Sequence, residues 1–174
     1  MKELKEYIRS IPDFPEKGII FRDVTTVLQD AEALQLSINS MQEKLNNVEF
    51  DIVVGAESRG FLFGMPIAYN LKKAFVPVRK KGKLPYETIE ESYDLEYGQA
   101  TLEIHKDAIK PGQKVIIIDD LIATGGTLEA IIKLVERLGG IVVKICCLID
   151  LPDLGGKEKI NKYDIETVIA FEGK

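Results

Sequence analysis

V-I-I-I-D-D-L-I-A-T-G-G-T, residues Val115–Thr127, is the stretch from which the fold can be read. Val115–Ile118 is a short unbroken β-branched run, the pattern of a strand buried on both faces of a parallel sheet. Two carboxylates, Asp119 and Asp120, follow where that strand should emerge. Ala123, Thr124, Gly125, Gly126 and Thr127 then supply a turn of small residues, and an apolar-periodic segment starts behind them. A strand, a turn without bulky side chains and a helix start leave several backbone N–H groups free. With the helix dipole behind them, they make a seat for a phosphate. The two carboxylates repel a phosphate and need a different partner. A cis-diol offers two hydroxyl donors to carboxylate acceptors, so the stretch reads as a site for a ribose 5-phosphate. A tight turn alone explains the glycines but not the paired aspartates.

Two other phosphate loops are excluded. No G-x-x-x-x-G-K-[ST] occurs: Gly155-Gly156-Lys157 is followed by Glu158, and Leu151 stands where the first glycine belongs. No G-x-G-x-x-G follows a strand either. Outward from the central stretch, strand and helix patterns alternate. Leu128, Ile131, Ile132, Val135 and Leu138 line a helix that stops at Gly139-Gly140, and Ile141–Ile149 and Ile165–Phe171 read as buried strands. Upstream, Asp30 caps a helix through about Asn47, and Asp51–Val54 is the next strand. A helical stretch with Phe61, Met65 and Ala68 follows; Pro66 inside it predicts a kink or a late start. The sequence therefore predicts a doubly wound α/β fold, with a mainly parallel central sheet, helices on both faces and right-handed crossovers. In such sheets ligands bind beyond the carboxyl ends of the strands. Residues 1–174 read as one domain, with no repeat and no linker.

A second turn at a strand end, Gly55–Gly60, carries one arginine, Arg59, a candidate for a second anion. Ala74–Val78 is a weaker strand, which Pro77 moves to an edge or end position. Arg79–Ser92 is charged and broken by Gly82 and Pro85; it reads either as a solvated excursion or as a lid whose Arg79, Lys80 and Lys83 meet a diphosphate. Tyr93–Gly98 and Thr101–His105 form a strand pair, with Leu102 and Ile104 on one face and Glu103 and His105 on the other. At the other end, Met1–Ser10 has helical spacing of Leu4, Tyr7, Ile8 and Ile11, ended by Pro12 and Pro15. Ile19-Ile20-Phe21 then runs extended into Arg22-Asp23, and residues 1–30 must lie on the main body as a packed arm or a flap.

Composition excludes several classes. Apolar content of 45% and charged content of 29% belong to an ordinary globule. A net charge of −5 argues against a nucleic-acid partner held by general electrostatics. The local basic cluster of Arg79, Lys80, Lys81 and Lys83 suits a small polyanion. No apolar run reaches the length of a membrane span, and no signal-peptide core opens the chain. Cys146 and Cys147 are adjacent in a strand, Cα atoms about 3.8 Å apart and side chains on opposite faces, so they read as reduced core residues of a cytoplasmic protein.

Asp119–Thr127 resembles the phosphoribosyl-diphosphate (PRPP) signature of the type I phosphoribosyltransferase family. Four other stretches match its adenine-specific branch: Phe14-Pro15 with Gly18–Asp23, Glu57–Phe61, Arg79-Lys80 with Gly82–Pro85, and Leu95–Gly98. In family order they cover Tyr7 to Phe171. The resemblance implies a transfer from PRPP to adenine that yields AMP. It implies that the N-terminal segment is a hood whose backbone at Ile20 and Arg22 reads the base, together with Leu121. The 58–59 turn (Ser58, Arg59) and the 79–92 lid (Arg79, Lys80, Lys83) would hold the diphosphate, and Glu96 would hold the purine or take its proton. It further implies Mg²⁺ on the diphosphate and ribose oxygens, since the sequence shows no all-protein metal cage, and a homodimer with the region after Val78 near the partner. Two alternatives stay open: a transferase for another base such as xanthine, hypoxanthine or orotate, and a non-catalytic PRPP-sensing regulator. For the latter, the first 50 or so residues hold no basic stripe and no convincing helix-turn-helix.

Overall fold

The computed structural model describes residues 2–95 and 98–173. In chain order its elements are β1 (Arg9–Pro12), β2 (Ile20–Asp23), α1 (Thr25–Leu28), α2 (Ala31–Glu43), β3 (Ile52–Ala56), α3 (Arg59–Asn70) and β4 (Ala74–Lys80). These are followed by β5 (Thr88–Leu95), β6 (Gly98–His105), β7 (Lys114–Ile122), α4 (Gly126–Arg137), β8 (Ile141–Asp150), α5 (Gly156–Lys159) and β9 (Ile165–Ala170). Seven strands form the main sheet in the order β5-β6-β4-β3-β7-β8-β9, and β1 pairs with β2 in a separate antiparallel hairpin. β4, β3, β7, β8 and β9 are mutually parallel, while β5 and β6 join antiparallel at the β4 end.

β7 sits at the centre because it is apolar on both faces. Val115 and Ile117 point into the core beneath α4, with Leu128, Ile131, Leu134 and Val135. Ile116 and Ile118 point the other way, into the core beneath α2 and α3, with Met41, Phe63 and Ile67. All of these side chains are fully or almost fully buried. Each contributes roughly 1.5–3 kcal/mol of apolar transfer free energy. Cys146 and Cys147 split between the two cores as the strand alternation requires, both as buried free thiols. Burial pushes the Cys146 thiol up to about 12, which leaves it inert at neutral pH. Asp30 caps α2, its Oδ1 accepting from Glu32 N and Ala33 N at 3.0 Å each.

Five expectations need correction. The N-terminal helix is only a 3-10 turn, Leu4–Tyr7, and Arg9–Pro12 is strand instead. Pro12 holds Ile11 extended, and Ile11 pairs with Phe21 across the hairpin. α3 does not start late: it runs from Arg59 with Pro66 inside, so the Leu62 carbonyl lacks its intrahelical donor. β4 is an interior strand despite Pro77. The Val78 carbonyl faces β3, accepting from Glu57 N at 2.9 Å. The neighbouring Pro77 nitrogen therefore faces away from β3, and pairing to β6 begins only at Arg79. Half of the 79–92 segment is strand: β4 runs to Lys80 and β5 begins at Thr88, leaving 81–87 between them. Glu103, on the supposed outer face of β6, is buried, and its carboxylate accepts from Leu84 N at 2.8 Å.

Candidate functional site

Because β4, β3 and β7 are adjacent and parallel, their carboxyl ends open on one edge of the sheet. A cavity of about 370 Å³ lies there. Its walls are Ala56–Arg59 after β3, Lys80 at the end of β4, and the continuous run Asp119–Leu128. Asp119, Asp120, Leu121, Ala123, Thr124, Gly125, Gly126, Thr127, Ser58, Arg59 and Lys80 are thus brought together as the sequence suggested.

The Ala123–Thr127 turn has the shape of an anion seat. Gly125 caps α4 with φ of 86°, a conformation that glycine adopts without penalty. Behind it stands a twelve-residue helix whose first backbone donors have no intrahelical partner. Beside the turn, Asp119 and Asp120 are both buried, and Asp120 N donates to Asp119 Oδ1 at 2.8 Å. Burial, with the neighbouring Asp120 charge second, holds the Asp119 carboxyl well above the usual carboxylate range. Such a pair is relieved by a cation or by hydroxyl donors. Here the cation is Arg59, whose Nε lies 2.6 Å from Asp120 Oδ2. The arginine therefore rests on the acidic doublet, with its guanidinium carbon 5.7 Å from the centre of the Phe21 ring in β2.

The remaining candidates lie apart from the cavity wall. Arg79 Nε donates to Glu57 Oε1 at 3.1 Å, and its Nη1 approaches the Lys83 carbonyl at 3.5 Å. Neither Arg79 nor Lys83 lines the cavity. Partial burial would raise the Glu57 carboxyl, but hydrogen bonds from Lys80 N and Arg79 outweigh it and hold it below the usual range. Ile20 and Arg22 belong to the hairpin, where the Arg22 guanidinium covers Phe171 at 4.3 Å. Glu96 lies outside the described residues.

Three residues near the site were missed by sequence reasoning. Gly156 packs on the back of the phosphate turn, where a Cβ would come within 2.5 Å of the Ala123 carbonyl oxygen. Lys159 ties this α5 turn to Glu129 in the first turn of α4, at 3.2 Å. The Gly155-Gly156 pair was the visible signal, considered only as part of a failed P-loop. Tyr93 of β5 touches the same turn from its other flank, and no local pattern marks it.

The model of the phosphoribosyl transferase domain matches residues 24–173. The chain belongs to the phosphoribosyl transferase family. Among its relatives, an adenine phosphoribosyltransferase of Lachnoclostridium phytofermentans is 69% identical over 174 residues, covering 100% of both chains. Among solved structures of this phosphoribosyl transferase fold, an adenine phosphoribosyltransferase from Thermoanaerobacter pseudethanolicus superposes with a TM-score of 0.94 at 55% identity, covering 97% of this chain and 98% of that one. The Saccharomyces cerevisiae enzyme, crystallised with an imino-altritol bisphosphate and adenine, gives a TM-score of 0.90 at 40% identity, covering 95% and 96%.

Proposed function

We infer that the chain is a purine-salvage transferase that converts adenine and PRPP to AMP and diphosphate. One observation carries this reading: the buried carboxylate doublet Asp119-Asp120 adjoins a phosphate-shaped turn in a single cavity, with Arg59 paired to Asp120. The Ala123–Thr127 turn takes the 5′-phosphate and the doublet takes the ribose diol. Ser58, Arg59 and Lys80 face the diphosphate, with Arg79 and Lys83 nearby. For this Arg59 leaves Asp120 and turns to the anion, exchanging one charged partner for another. Glycosidic transfer breaks the bond from the anomeric carbon to diphosphate, which departs with the electron pair. A ring nitrogen of the base forms the new bond, and its proton passes to Glu96. Positioning and charge stabilisation supply most of what the protein contributes.

Base selection is assigned to the hairpin and Leu121. Pro12 has no N–H and faces Ile20, so that pair cannot exchange two hydrogen bonds. Alternation along the ladder turns the backbone groups of Ile20 and Arg22 to the outer edge, free to read an amino group from an oxo group. Among the described residues no cluster of three or more acidic, histidine or cysteine side chains could hold a metal. Mg²⁺ would be carried on the diphosphate and ribose oxygens, with Asp119 and Asp120 the residues beside it, and would supply charge neutralisation to the diphosphate. Leu62, Met65 and Tyr69 form an exposed apolar stripe on α3, 44%, 51% and 82% accessible, which supports a homodimer. Buried free thiols support a reducing, cytoplasmic setting. Among the described residues, no helix is long and apolar enough to cross a membrane.

Initial rates with PRPP and a panel of adenine, hypoxanthine, xanthine and orotate test the reading. Adenine should be consumed far faster than the others; preference for an oxo-base would contradict it.

A further inference from the structure

The phosphate turn is gripped from outside as well as open to the cavity within. Tyr93, on β5, is not part of the cavity wall. Its hydroxyl lies 3.0 Å from Thr127 Oγ1. Its ring backs Gly126, where a Cβ would come within 3.2 Å of Tyr93 Cδ2. β5 is also fixed to the far end of α4, since Arg137 pairs with Glu91 at 3.1 Å. The β5–β6 hairpin is thus tied to both ends of the helix that carries the phosphate turn.

A bound phosphate dianion gives the hydroxyl pair a direction. The dianion only accepts, so Thr127 must donate to it. Thr127 Oγ1 then accepts from Tyr93, and the relay runs Tyr93 O–H to Thr127 O–H to phosphate, each link polarising the next. We propose that Tyr93 is a positioning residue for the 5′-phosphate: it holds the Thr127 hydroxyl in its donating orientation and ties the β5–β6 hairpin to occupancy of the phosphate turn. The proposal rests on the assignment of Ala123–Thr127 to that phosphate. It also gives the hairpin, whose connection contains Glu96, a register against the bound sugar phosphate.

The test compares wild type, Tyr93→Phe, Thr127→Val and the double variant by PRPP calorimetry and steady-state kinetics. Tyr93→Phe keeps the ring on Gly126 and removes only the hydroxyl. Its Kd and KM for PRPP should rise roughly two- to tenfold, the worth of one neutral hydrogen bond, with a smaller change in kcat and in KM for adenine. Adding Tyr93→Phe to Thr127→Val should cause no further rise, whereas a Thr127→Ser background, which keeps the hydroxyl, should stay sensitive. An unchanged Kd in Tyr93→Phe, or the same factor in the Thr127→Val background, would overturn the proposal alone. Failure of the wild type to bind PRPP would overturn the functional reading along with it.

Discussion

The two halves of the cavity are built on different plans. The half proposed for the pentose phosphate comes from one uninterrupted run, Asp119–Thr127, which joins the end of a central strand to the first turn of the helix it feeds. The other wall is assembled from segments far apart in sequence, the 57–59 turn and the end of β4, with Phe21 of the β1–β2 hairpin set against Arg59. There the cations are already engaged, Arg59 on Asp120 and Arg79 on Glu57, so under the proposed reading both exchange a carboxylate for the diphosphate. A local site inherits its geometry from secondary structure. A composite one depends on contacts that a substrate must rearrange.

This contrast can be broken at several points. The largest effect is expected in the composite half: Glu96→Gln should lower kcat about a hundredfold, within the range for a lost proton acceptor, with PRPP affinity nearly unchanged. Stopped-flow or steady-state turnover at the wild-type level would remove Glu96 from the chemistry. In the local half, Asp120→Asn should weaken PRPP roughly ten- to a hundredfold, the worth of a charged hydrogen bond, without unfolding the chain. Native affinity by calorimetry would refute the diol assignment. Gly156→Ala pushes a methyl against the Ala123 carbonyl. It should cost about 1–3 kcal/mol of stability and weaken PRPP more than adenine. A melting temperature and PRPP affinity equal to wild type would show that the turn needs no backing.

The smallest effect concerns the hairpin. Thr25 and Arg9 hydrogen bonds hold the Asp23 carboxyl down from 3.8 to about 2. A lowered folded-state value stabilises the folded form above the unfolded value, and the gain is lost as pH falls through the folded one. The stability gap between wild type and Asp23→Asn should therefore be full above pH 4 and shrink toward pH 2, read as thermal melts across that window. A gap independent of pH would remove the carboxylate from the anchoring of the hairpin.

The same contrast explains how much was legible from residues. The alternating cores of β7, the cap at Asp30 and the phosphate turn are local patterns, and each is found where its spacing puts it. Ile8–Pro12 misled because helical spacing over one turn is overridden by a strand partner, Ile20–Asp23, that spacing cannot reveal. Pro77 misled because edge status depends on which neighbour pairs where along the strand. Tyr93, Lys159 and Gly156 act through contacts between elements distant in sequence, so no motif marked them. The cavity itself follows from parallel adjacency of β3, β4 and β7, a matter of topology rather than of any one stretch.

The central claim is that the acidic doublet grips the pentose beside the phosphate turn. It is tested most directly by calorimetric titration of wild type and Asp120→Asn with ribose 5-phosphate and with 2-deoxyribose 5-phosphate. Wild type should favour the ribose compound, and Asp120→Asn should lose most of that preference while still binding both through the phosphate. Equal binding of the two sugars by wild type, or a preference that survives in Asp120→Asn, would contradict it.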